Sequence, residues 1–83
     1  MKLSPRWRRA WLMLLQNPRT GMDLAIGSGI ANINATILAW RAKGLTIPCQ
    51  RIEMRNRDGD VCHPGLFSLS ESDRKKIRAW LGE

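Results

Sequence analysis

The sequence predicts an α+β fold, four helices with a β-hairpin set between the third and the fourth, and three observations predict it. Apolar residues at helical spacing or helix-capping signals mark four stretches of the chain. The residues between Ile47 and Leu69 alternate instead, and the dipeptide Asp58-Gly59 interrupts that alternation midway, as a hairpin turn does. A chain of 83 residues is expected to be a single domain, residues 1–83, with a modest core.

The first helix is expected from Pro5 to Gln16. Trp7, Trp11, Leu14 and Leu15 fall at i, i+4, i+7 and i+8 on one face, Pro5 suits the first turn, and Asn17-Pro18 stops the run. In the second, Thr20 can cap the start and Asp23 can reach back to it as in a capping box, while the GSG at residues 27–29 ends the helix. The third runs from about Ala31 to Lys43, with Ile33, Ile37 and Trp40 on its apolar face and Gly44 at the carboxy-terminal cap. Its opposite face is expected to hold Asn32, Ala35, Thr36, Ala39 and Lys43, small or hydrogen-bonding side chains with no bulky hydrophobe. Such a face lets the backbone approach another surface closely, and Asn and Thr can read base edges. Asn32 has an alternative role as the cap of the helix.

From Ile47 to Arg57 the chain alternates, Gln50, Ile52 and Met54 on one side and Arg51, Glu53 and Arg55 on the other. A two-residue type I′ turn at Asp58-Gly59 would place Arg57 opposite Asp60, Cys62 opposite Arg55 and Cys49 opposite Ser68. That separates the cysteines by about 20 Å, beyond disulfide reach, and rules out a zinc site from Cys49, Cys62 and His63. Pro64 cannot donate to the ladder, so the returning strand is expected to be an edge or bulged there. The fourth helix, about residues 71–81, opens with Ser70 and Asp73 at capping-box spacing and carries Ile77, Trp80 and Leu81 as a stripe to dock on the first helix.

Charge narrows the function. Against 14 Lys and Arg stand 7 Asp and Glu, a net charge of +7 that makes a polyanion the leading partner, with a merely solubilising surface as the bland alternative. Lys2, Arg6, Arg8, Arg9 and Arg19 all precede the first acid, Asp23. The apolar run from Ala10 to Leu15 is too short for a membrane span, and no cleavage site follows it, so a cytoplasmic protein that does not cross a membrane is expected. An enzyme is not. His63 is the only histidine, no nucleophile and base would be gathered by this fold, and no phosphate-binding glycine loop leads into a helix. No cofactor or metal is expected.

Two helices joined by a glycine turn, residues 20–44, followed by a ribbon, residues 47–69, make a winged helix-turn-helix: three helices, a hairpin wing and a fourth helix. The third helix would enter the major groove, and Arg55 and Arg57 at the wing tip would lie on phosphates. The short helix ending in GSGI, the helix ending in WRAKGL, the Ile47 strand, the RDGD turn and the closing LFSL resemble the small winged helix-turn-helix family often encoded by bacteriophages and prophages. The resemblance spans Thr20 to Leu69 and implies a DNA-binding transcriptional regulator that reads double-stranded DNA with its second motif helix. Asn32 and Thr36 stand where the family tends to carry arginines. The recognition face is correspondingly less basic, which keeps an acidic protein partner, with the chain as an adaptor or host-directed inhibitor, as the alternative. The sequence leaves a homodimer open.

Overall fold

Each helix begins where a short polar side chain accepts from the first turn, which places the four starts at Ser4, Thr20, Asn32 and Ser70. The computed structural model describes residues 4–82. Their order is α1 (Pro5–Gln16), β1 (Arg19–Thr20), α2 (Gly21–Ser28), α3 (Ile33–Ala42), β2 (Cys49–Arg51), β3 (Met54–Arg55), β4 (Val61–Cys62), β5 (Gly65–Phe67) and α4 (Glu71–Trp80). The fold is α+β, four helices with small antiparallel sheets. Lys2 lies outside the described residues.

α1 and α4 start and stop where their caps and Asn17-Pro18 predict, and α3 is trimmed, with Asn32 and Lys43 serving as its caps. Ser70 and Asp73 form the expected reciprocal box. At Thr20 the hydroxyl accepts from the Asp23 amide, and no return bond from Asp23 closes a second box among the described residues. Gly29, with φ of 84°, closes α2 in the left-handed region that a side chain would resist.

The hairpin departs from its expected form. The register is Cys49 with Phe67, Arg51 with Gly65, Met54 with Cys62 and Arg55 with Val61, one residue away from the two-residue-turn alignment. The cause is a longer loop. The Asn56 amide donates to the Asp60 carbonyl, so Arg57, Asp58 and Gly59 all lie in the loop, and Gly59 takes φ of 86°. Asn56 Oδ1 accepts from the amides of Asp58 and Asp60 and fixes this shape, a role no two-residue turn offers. Cys49 and Cys62 remain on different rungs, both free thiols.

Nor is the ribbon continuous. It breaks at residues 52–53 and 63–64 into an outer pair, β3 with β4, and an inner sheet ordered β1-β5-β2. β5 is therefore a central strand, and Pro64 avoids the ladder by sitting in the break rather than on an edge. β1, two residues long, is too short to leave a periodic signal in sequence.

Ile47 was expected in a strand, yet it has φ of 40°, an unfavourable conformation for a β-branched residue that costs about 1–3 kcal/mol. Its surroundings hold it there. The Asp73 carboxylate accepts from the amides of Thr46 (2.7 Å), Ile47 (2.9 Å) and Ser70 (3.1 Å), while Arg41 of α3 donates to the carbonyls of Thr46 and Ile47. Burial alone would raise the Asp73 pKa; these backbone amides and the Ser70 hydroxyl outweigh it and hold the carboxyl below its ordinary value.

The core lies between the helices. Trp11, Leu14, Leu24, Ile37, Trp40, Ile47 and Ile77 are buried, with Leu45, Leu69 and Leu81 around them. The four tryptophans form one cluster: Trp11 stands 6.0 Å from Trp7, 5.8 Å from Trp40 and 5.4 Å from Trp80, ring centre to ring centre. Such tilted pairs add about 0.5–1.5 kcal/mol each beyond burial. The Trp80 contact, with Arg74 donating to the Leu15 carbonyl, docks α4 on α1 as its apolar stripe predicts.

Candidate nucleic-acid interface

α2 and α3 meet at 97° across residues 29–32, and Ile33, Ile37 and Trp40 turn one side of α3 into the core. What remains outside differs from the face expected. Thr36 and Ala39 are half-buried, whereas Asn34, Ala35, Leu38 and Ala42 are exposed. Leu38, 64% exposed, is the bulky hydrophobe that the anticipated face lacked. The discrepancy is angular: Ile33, Ile37 and Trp40 centre the buried side so that Thr36 lies near its margin and Leu38 well away from it.

The polar side chains nominated as readers are turned to local structure. Asn32 Oδ1 accepts from the Ala35 amide at 3.2 Å, so Asn32 caps α3, and the Thr36 hydroxyl donates to the Asn32 carbonyl at 3.1 Å. Lys43, at the other end, holds its ammonium 6.0 Å from the Trp7 ring, a cation–π contact that leaves it exposed. Asn34 is the exposed amide on this helix without a side-chain hydrogen bond among the described residues.

The arginines divide in the same way. A cleft of about 580 Å³ opens between the first turn of α1 and the start of α3, lined by Ser4, Pro5, Arg6, Trp7, Arg9, Ile30, Ala31 and Thr36. Arg9 donates through Nε and Nη2 to the Ser28 carbonyl, tying α1 to the end of α2. Arg6 and Arg8 are exposed and have no partner among the described residues. At the hairpin tip, Arg55 donates to the Gly59 carbonyl at 3.0 Å and braces the loop, while Arg57 stands in the loop with no partner among the described residues. Arg19, Arg41, Arg51, Arg74 and Lys76 likewise donate to backbone carbonyls. Sequence cannot separate these two groups, because the difference lies in carbonyls brought near by the fold.

No group of three or more His, Cys, Asp or Glu able to hold a metal ion occurs among the described residues, and no single helix there is long and apolar enough to cross a membrane. Compared with known proteins, the chain matches no family model, no curated protein and no solved structure.

Proposed function

We propose that the protein is a winged helix-turn-helix that binds double-stranded DNA, a cytoplasmic transcriptional regulator of the phage or prophage kind. The observation that carries this reading is the corner at residues 29–32, where a 97° bend between α2 and α3 leaves the outer side of α3 uncovered. That angle falls within the roughly 90–120° of helix-turn-helix pairs. α3 would lie in the major groove, with the hairpin at residues 54–62 as the wing. Arg6, Arg8, Lys43 and Arg57, together with the remaining donors of Arg55, supply about four to five phosphate contacts.

Selection from a random duplex pool at near-physiological salt, followed by a salt titration on the enriched site, tests this. An enriched sequence is expected, with log affinity falling against log salt at a slope of about −3.5 to −4.5. No enrichment and a slope near zero would remove DNA as the partner. A second reading, an adaptor on an acidic protein, is favoured by Met22 and Ile26, 73% and 77% exposed one turn apart on α2. It predicts one protein bound and indifference to DNA.

A further inference from the structure

The ridge of α3 formed by Asn34, Leu38 and Ala42, at i, i+4 and i+8, carries chemistry that fits one class of base pair. We infer that this ridge reads A·T pairs, Leu38 by apolar contact with a thymine C5-methyl and Asn34 by paired hydrogen bonds to an adenine, so that the DNA site contains A·T pairs beneath the middle of α3. The inference rests on the DNA-binding reading.

Leu38 decides the argument. It is 64% exposed, near the middle of the uncovered side of α3, and Ala35 and Ala42 next to it do nothing to screen it. Inside a major groove its isobutyl group would displace water from whatever base edge lies below. The guanine, cytosine and adenine edges present only donors and acceptors, and covering those with a hydrocarbon strands them without partners. Thymine alone offers a methyl group on the groove floor. A Leu at this position therefore favours thymine and penalises G·C, without any hydrogen bond of its own.

Asn34 points to the same base pair by different chemistry. Its amide is exposed and has no partner among the described residues, unlike Asn32, whose oxygen caps the helix. A free Asn amide matches adenine, donating to N7 and accepting from N6. One helical turn separates Asn34 from Leu38, about 6 Å along the axis, which corresponds to roughly one or two base-pair steps. Surrounding charge fits a polyanion rather than an apolar protein as the occupant, and the unbonded Asn34 amide beside Leu38 fits DNA among polyanions: Arg6 lies at the cleft beside the start of α3, Lys43 caps its end, and the whole chain carries +7.

The test uses the full chain and the site enriched from a random pool. Each thymine is replaced in turn by deoxyuridine, which removes the methyl group and keeps the pairing, and binding is measured for wild type and for Leu38→Ala. One or two thymines are expected whose replacement weakens wild-type binding about three- to ten-fold and leaves Leu38→Ala unaffected. Replacing the adenine a step or two away by 7-deazaadenine should weaken wild type but not Asn34→Ala. Both side chains are exposed, so unchanged thermal midpoints check that the variants fold. An enriched site insensitive to every deoxyuridine, or equally sensitive in Leu38→Ala, overturns the inference while DNA binding stands. Failure to enrich any sequence, with binding independent of salt, overturns the inference and the DNA-binding reading together.

Discussion

At Asp73 one carboxylate, fully buried, accepts from three backbone amides and joins the start of α4 to the chain after α3. Its pKa is depressed in the fold, so its contribution is complete above the unfolded value near 4 and is lost as pH falls through the folded one. Urea denaturation should show stability dropping below about pH 4 in wild type, with a flatter acid limb in Asp73→Asn. The substitution should itself cost about 1–3 kcal/mol at neutral pH, since an amide offers one accepting oxygen where the donors need two. Sequence marked Asp73 as half of a capping box; nothing in the spacing foretold Thr46 and Ile47, which come from elsewhere in the chain. Arg9 and Arg6 make a second contrast. Arg9→Ala should lower stability by about 1–2 kcal/mol through the lost Ser28 contact, whereas Arg6→Ala should leave the thermal midpoint unchanged and flatten the DNA salt slope by about one unit. A salt slope unchanged by Arg6→Ala would take that side chain out of the interface.

Among the elements, helices were legible and the ribbon was only partly so. Capping residues and apolar spacing are local, and they placed α1 and α4 at their observed starts. The hairpin register is decided by where Asn56 bonds, a choice between two loop lengths that the RNRDGD stretch does not settle by itself. The outer face of α3 is hidden in sequence for another reason: Leu38 is an apolar residue whose angle on the helix, rather than its type, leaves it uncovered. The loop gives a prediction of its own. Gly59→Val must place a β-branched residue at φ of 86°, and Asn56→Ala removes the acceptor for two amides, so each should lower stability by about 1–3 kcal/mol and disturb binding only through the distorted loop. Arg57→Ala should leave the fold intact and weaken all duplexes alike. Equal binding by Arg57→Ala and wild type would show that the hairpin tip does not touch DNA.

Across the whole molecule, stability is uneven. The four tryptophans share one cluster among α1, α3 and α4, so fluorescence and far-UV circular dichroism should report one coincident unfolding transition. The outer hairpin, two-residue strands with mostly exposed side chains, should exchange its amide hydrogens well before the helices, and protection of residues 54–62 equal to that of α1 would contradict this. The molecule measures 43 Å along its long axis against 24 and 22 Å across, a proportion legible in no residue pattern because it is set by how distant elements stack. The backbone of Ile47 bears on a different matter, the order in which the chain acquires its shape as it is made. Synthesis proceeds from the amino end at roughly 5–20 residues per second. α1, α2 and α3 leave the ribosome complete, but the strained turn at Ile47 lacks Asp73, which follows it by 26 residues. Until that carboxylate emerges, only Arg41 of α3, through the Thr46 and Ile47 carbonyls, braces the turn, and the strands after it are less firmly rooted. The nascent protein can therefore assemble its helical corner first, and the hairpin takes its final direction only when α4 arrives to hold it.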